Sequence, residues 1–268
     1  MSKQQRRAAF HHVTSANGAI IYRGPSLLDG KPIVAIVTGL KTASANAKTG
    51  DMLQTWILRE DIAPHVAIKT GDDEGICGDC RHRGEYDPEA RKWIKTRTCY
   101  VQTHWAPRSV YAAYHRGIYP DYSKSPDDIA RIGAGRVVRL GSYGDPMAAP
   151  LHVWSWLVDS ATGWTGYTHQ WRSDCTSTRP WQRLLMASAD NEKDRAEAFS
   201  RGWRTFRVTR SDAERDNKLE VLCPASKEAG HRSTCAACKL CMGTTSQATK
   251  SIAIPVHGAG AGAFRRAA

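Results

Sequence analysis

The sequence has no apolar run approaching the roughly eighteen residues that a membrane-spanning helix needs, so no membrane partner is expected. No apolar stretch follows the basic opening Met1-Ser-Lys-Gln-Gln-Arg-Arg7, which argues against a secretory leader and for a cytoplasmic protein. Acidic residues are in deficit: 26 Asp and Glu face 38 Lys and Arg, for a formal charge of +12. Such an excess suits a polyanionic partner, of which nucleic acid is the commonest. The arginines gather into no single stripe, so a merely solvated basic surface stays open beside that reading. Also absent are an H-x-x-x-H pair and a paired-carboxylate signature. A metal-dependent hydrolase would have to bring Asp145, His169, Asp190 and His257 together from distant parts of the chain.

Cysteine is what the chain does have, 8 in 268 residues. In a reducing compartment thiols serve metals and catalysis more often than disulfides. Cys235-Ala-Ala-Cys238-Lys-Leu-Cys241 carries thiols at two consecutive two-residue gaps, and Cys223-Pro224 stands eleven residues upstream. Four convergent thiolates bind zinc or an iron–sulfur cluster, and the C-x2-C-x2-C triplet is more typical of cluster loops. This set is expected to be closed and structural. A second group joins Cys77-Gly-Asp-Cys80 to Cys99 across eighteen residues. Three protein ligands leave one coordination position open, as catalytic centres do. The alternative is a structural zinc shared by Cys77, Cys80, His82 and Cys99. Cys175 has no cysteine neighbour and reads as a bystander.

Along the chain, residues 1–40 read as a basic tail and a β-hairpin over Gly18–Gly24 and Pro32–Thr38, turned at Leu28-Asp29-Gly30. Met52 to Leu58 and Pro64 to Lys69 read as strands, and the charged stretch from Glu85 to Lys95 as a surface insertion. Helical stripes follow at Val110, Tyr111 and Tyr114, after Ser125-Pro126, and at Leu151, Trp154, Leu157 and Val158. Between and beyond them come strands from Arg136, Trp164, Leu184, Trp203, Leu219 and Ser251. Alternating strands and helices mean βα units in a largely parallel sheet or barrel over 41–257, with ligands at the C-terminal strand ends. Asp145 and Asp190 read as helix caps at such ends. Trp171-Arg172 and Trp203-Arg204 suggest base-stacking platforms or, more often, core aromatics beside surface charge. Residues 258–268, rich in Gly and Ala, read as a disordered tail.

The order of Asn46-Ala-Lys48-Thr-Gly50, Cys77-x2-Cys80, Cys99-Tyr100, Gly144-Asp145-Pro146, Tyr167-Thr168, Cys223-Pro224, the Cys235 triplet and His257-Gly258 resembles that of a set of phage and mobile-element proteins. These in turn look like radical S-adenosylmethionine (SAM) enzymes. The resemblance runs from about Lys41 to His257. It implies a radical-SAM-like parallel (β/α) partial barrel with the hairpin before it and a cysteine-rich loop module over 223–241. Cys77, Cys80 and Cys99 would hold a [4Fe–4S] cluster with one iron open to SAM. Cys223, Cys235, Cys238 and Cys241 would hold an auxiliary one. Gly144-Asp145 would meet the SAM amine, with Tyr143, Gln170 and Asp190 around the cofactor and Asp145 and His169 as catalytic residues. Those enzymes use a C-x3-C-x2-C loop, whereas eighteen residues separate Cys80 from Cys99 here. The implied function is a phage-type iron–sulfur enzyme acting on nucleic acid or nucleotides, in the host cytoplasm if phage-encoded. The competing expectation is a zinc- or cluster-bearing nucleic-acid-binding protein without catalysis.

Overall fold

The computed structural model describes residues 15–42, 44, 46–244, 249–258 and 260–267, apart from the side chains of residues 175, 176 and 267. The basic opening segment and the thiol of Cys175 lie outside this description. In chain order the strands are β1 (Gly18–Pro25), β2 (Pro32–Thr38), β3 (Leu53–Arg59), β4 (Glu85–Asp87), β5 (Lys92–Lys95) and β6 (Val137–Tyr143). They continue with β7 (Gly163–Thr168), β8 (Met186–Ala189), β9 (Thr205–Thr209), β10 (Glu220–Leu222) and β11 (Ser251–Pro255). The helices are α1 (Pro64–Thr70), α2 (Glu74–Cys77), α3 (Ala106–His115), α4 (Pro126–Gly133), α5 (Leu151–Val158), α6 (Cys175–Thr178), α7 (Glu192–Ser200), α8 (Cys235–Cys238) and α9 (Ala261–Ala267).

The fold is α/β, built on a nine-stranded sheet in the order β1-β2-β3-β6-β7-β8-β9-β11-β10. The hairpin β1/β2 and the pair β2/β3 are antiparallel, and every later pairing in that sheet is parallel. Parallel neighbours need a crossover, and helices fill that role between β6 and β7 and between β8 and β9. Strands alternate their side chains between faces, so Val138 and Leu140 of β6 join the core with Ile129 and Ile132 of α4 and Trp154 and Leu157 of α5. The two helices touch at Gly133, where a Cβ would stand 1.7 Å from the Leu157 carbonyl oxygen. Trp171 and Trp203 are core residues at 0% and 1% exposure, so neither is a stacking platform.

Several local expectations change. The segment from Pro64 is a helix, started by proline at its first turn and stopped by Gly71 at φ 80°, because those end signals outweigh its apolar content. The charged insertion forms the two-stranded ribbon β4/β5. Asp145 does cap, but its carboxylate accepts from Met147 N of a short 3₁₀ turn, and α5 starts only at Leu151. The cap of α7 is Asn191, which accepts from Asp194 N at 2.8 Å, so Asp190 is free for other work. The expected disordered tail includes α9, whose Phe264 is 4% exposed.

Candidate functional site

Across β6, β7, β8, β9 and β11 the side chains of the other face border one cavity of about 430 Å3, Arg139 from β6 and Tyr167 from β7 among them. On β9 and β11 the walls are apolar, made by Phe206, Val208, Ile252 and Ile254, each two residues from its strand partner. The Tyr167 and Phe206 rings lie 4.4 Å apart. Thiols from both cysteine groups open onto this single space.

The three-cysteine group is assembled by backbone and by Arg83. After α2 the chain turns at Gly78 (φ 50°), where a Cβ would meet the Gln170 side-chain amide at 2.5 Å. Arg83 ties the loop shut, donating to Asp73 Oδ1 at 3.0 and 2.9 Å, to the Gly78 carbonyl at 3.1 Å and to the Gly71 carbonyl at 2.8 Å. The ribbon then returns the chain, so that Thr98 N and Cys99 N both donate to the His82 carbonyl, at 3.2 and 3.1 Å. That return brings Cys99 back to Cys80 across their long separation. Cys80 and Cys99 line the cavity, whereas Cys77 does not. Burial pushes the Cys77 thiol well up, helped by the charges of Asp73, Cys80 and Cys99, and burial likewise raises Cys99.

Beside these thiols stand His82, His169 and Asp190, whose ligand atoms all lie within 4.8 Å of one another. His82 Nε2 is 2.8 Å from Asp190 Oδ1, and its Nδ1 is 2.6 Å from Thr98 Oγ1. His169 Nε2 lies 3.8 Å from Asp190 Oδ2 and 3.9 Å from Cys80 Sγ. Arg81 Nε is 4.0 Å from the same Asp190 oxygen. Burial would raise Asp190, but contact with His169 and His82 outweighs it and holds the carboxyl far below its usual range. Burial would depress His169, yet the Cys80 charge and Asp190 raise it well above the ordinary imidazole value.

The Cys235 triplet is hung from the N-terminal ends of the strands, and Cys223 joins it from the C-terminal end of β10. Cys235 N and Ala236 N donate to the carbonyls of Lys48 and Thr49, at 2.9 and 3.0 Å, just ahead of β3. Lys239, left-handed at φ 56°, donates from Nζ to the Thr162 carbonyl at 2.9 Å, ahead of β7. Arg204, 4% exposed, donates to the carbonyls of Leu240, Gly243 and Lys250. Cys223 follows β10 and is fixed by its own N–H to the Ala253 carbonyl at 2.9 Å. All four thiols line the cavity. Burial, with the neighbouring thiols, pushes Cys241 up to about 12. Burial also lowers Lys48, against the opposing pull of Cys223 and Cys235. Among the described residues no three sulfurs fall within 4.8 Å of one another. Tetrahedral zinc at about 2.3 Å from each sulfur would put them about 3.8 Å apart.

The residues expected to surround a cofactor divide. His169 and Asp190 face the cavity, while Tyr143, Gly144, Asp145 and Gln170 do not. The Asp145 carboxylate is occupied by Met147 N at 3.0 Å, Thr168 Oγ1 at 3.0 Å and His169 N at 2.8 Å, and burial raises its pKa despite them. Its own N–H donates to the Ile76 carbonyl at 2.6 Å, and Gln170 Nε2 donates to the Cys77 carbonyl at 3.1 Å. Both therefore hold the cysteine loop in place. Gly144 lets β6 approach β3, since a Cβ there would sit 2.7 Å from that of Ile57. Tyr143 is buried with its hydroxyl unpartnered. His257 pairs with Lys48, Nε2 to Nζ 3.1 Å, away from the His169 and Asp190 group. Sequence reading tied His82 to the thiols and passed over Lys48 and Arg139 as cavity residues. Only the place of His82 two residues after a C-x2-C knuckle hinted at its part.

Comparison with protein-family models, with curated proteins and with solved structures finds no match to this chain, so its function is argued from the site itself.

Proposed function

We propose that the chain is an iron–sulfur enzyme whose reaction chamber is the hollow of a radical-SAM-like partial (β/α) barrel, acting on nucleotides or nucleic acid. The observation that carries this reading is the shared cavity: Cys80 and Cys99 of one group and all four thiols of the other border the same 430 Å3. Structural zinc sites are closed, their sulfurs turned onto one ion. Thiols spread around open space suit a larger inorganic group. The barrel is supported by β3, β6, β7, β8 and β9 following one another as parallel neighbours, with alternate residues of β7 and β9 facing the cavity.

The donor chemistry fits, since thiolates are the usual cluster ligands. Cys77, Cys80 and Cys99 would hold one group and Cys223, Cys235, Cys238 and Cys241 another. When bound, such a group supplies one-electron chemistry at a potential set by its surroundings. The remaining work belongs to the chain's own side chains. His169, 3.9 Å from Cys80 Sγ, is placed to share hydrogen with that sulfur and so adjust its donor strength. Lys48 and Arg139 bring positive charge to the chamber, and no carboxylate pairs with either among the described residues. They offset anionic sulfur and favour a substrate carrying phosphate. The Tyr167 and Phe206 rings, packed against each other at a tilt of 41°, offer an apolar wall for a flat base. Asp145, Tyr143 and Gln170 do not fit contact with SAM, because their side chains stand behind the chamber. No SAM step is derived through them, and Asp145 is a positioning residue for the Cys77 loop.

Purification without oxygen, followed by iron, acid-labile sulfide and zinc analysis, tests the reading. Brown protein with about four irons per occupied site is expected. Colourless protein with stoichiometric zinc on the thiols would overturn it and favour a zinc protein that binds nucleic acid without catalysis.

A further inference from the structure

The geometry points to a mononuclear divalent-cation site formed by His82, His169 and Asp190, beside Cys80 of the three-thiol group and opening onto the same chamber. Its ligand atoms already lie within 4.8 Å of one another. They arrive from three places: the loop after α2, the end of β7 and the end of β8. Two imidazoles and one carboxylate with open positions toward a cavity are the donor set of non-haem ferrous centres, and manganese suits it too. Soft ions prefer the sulfurs elsewhere in the chamber.

The surroundings prepare these side chains for ligation. A metal-bound histidine fixes its ring by donating from the other nitrogen. His82 has that support, with Nδ1 2.6 Å from Thr98 Oγ1, and Thr98 is held in turn by its N–H on the His82 carbonyl. Asp190 is not spent on α7, because Asn191 caps that helix. The side chains of Asp190 and His82 are 6% and 13% exposed, so little water competes for them. Arg81 approaches Asp190 but is 41% exposed and can retreat to solvent when a cation enters. On binding the cation, His169 Nε2 would give up its contact with Cys80 Sγ, 3.9 Å away.

Manganese(II), which has little liking for thiolate, is the probe. Anaerobically purified full-length protein is titrated with Mn2+ while the signal of the free ion is followed by electron paramagnetic resonance. One equivalent should bind saturably. Asp190→Asn and His82→Gln should abolish that binding while leaving iron, sulfide and zinc contents unchanged. Thr98→Val, which keeps every ligand, should weaken it by about tenfold, as loss of an orienting partner does. Cys235→Ser with Cys238→Ser should leave it intact. Circular dichroism checks each variant, and if the ligand variants do not fold, Thr98→Val decides. No saturable binding in the wild type would overturn the site, as would equal affinity in Thr98→Val or loss of binding in the cysteine variant. The metal analysis of the thiols stands apart from all of these readings, so either proposal can fall alone.

Discussion

Replacing Arg204 by alanine should detach the cysteine-rich module from the sheet. Its guanidinium makes four hydrogen bonds to three backbone carbonyls: Nη1 to Gly243 at 2.6 Å, Nη2 to Leu240 at 3.0 Å, and Nη2 and Nε to Lys250 at 2.7 and 3.1 Å. Gly243 itself is pressed against the Arg183 carbonyl, 2.5 Å from where a Cβ would be, so the loop has no room to slide inward. An orphaned buried acceptor costs about 1–3 kcal/mol. Three of them bound the loss at about 3–9 kcal/mol before relaxation. The loop can open to water instead, so we expect a loss of about 3–5 kcal/mol, at the upper end of single substitutions. Lysine should not rescue, because a single ammonium cannot span three carbonyls as a planar fork does. Two measurements decide: urea unfolding of the metal-free protein, and the rate at which a thiol reagent modifies its cysteines. Cys223 and Cys241, 6% and 9% exposed, should react slowly in the wild type and fast in Arg204→Ala. Unchanged stability with unchanged thiol protection would refute this account of how the module is held.

Further predictions bear on other parts of the fold. Glu220→Ala leaves the buried Arg207 without its paired carboxylate after loss of contacts at 2.7 and 2.5 Å, and should cost about 3–5 kcal/mol by denaturant unfolding. Gly133→Ala forces α4 away from α5, because its new Cβ falls 1.7 Å from the Leu157 oxygen; a loss of about 1–3 kcal/mol or more in thermal unfolding is expected. Tyr114→Phe removes the 2.7 Å hydrogen bond to Glu60 and should cost about 1–2 kcal/mol at neutral pH. Burial opposes it, but Tyr114 and Arg23 hold Glu60 below the usual carboxylate range. The stabilisation is therefore present above the unfolded pKa of Glu60 and lost as pH falls through its folded value. The wild-type advantage over Tyr114→Phe should accordingly shrink on acidification, as parallel unfolding curves across that range would show.

What the sequence determined by itself is what local forces govern. The hairpin β1/β2 and the succession of later strands were legible, because β-rich runs between turn residues need no distant partner to be recognised. The parallel character of the sheet followed from helices lying between strands. Both cysteine groups were legible as groups, since their spacing is a property of the chain alone. Where two signals competed within a few residues, reading stopped short. Pro64 to Lys69 read as a strand but form a helix, and Asp190 read as the cap of α7 where Asn191 holds that place.

Tertiary structure decided which way the side chains of the site point. Asp145 and Asp190 follow parallel strands and look alike in sequence, yet one carboxylate is saturated behind the chamber and the other faces His82 and His169 within it. The difference lies in the donors each end happens to meet, Thr168 and His169 N–H for one and two imidazoles for the other. No spacing rule encodes that encounter. The sharing of one cavity by both thiol groups is likewise a fact of assembly. It needs the Cys223 end of β10, the Lys48 turn and the Arg204 clamp to converge on the same space as the Cys80 loop and His169. Side-chain alternation is local, but which face becomes the wall of a chamber is fixed only when helices cover the other.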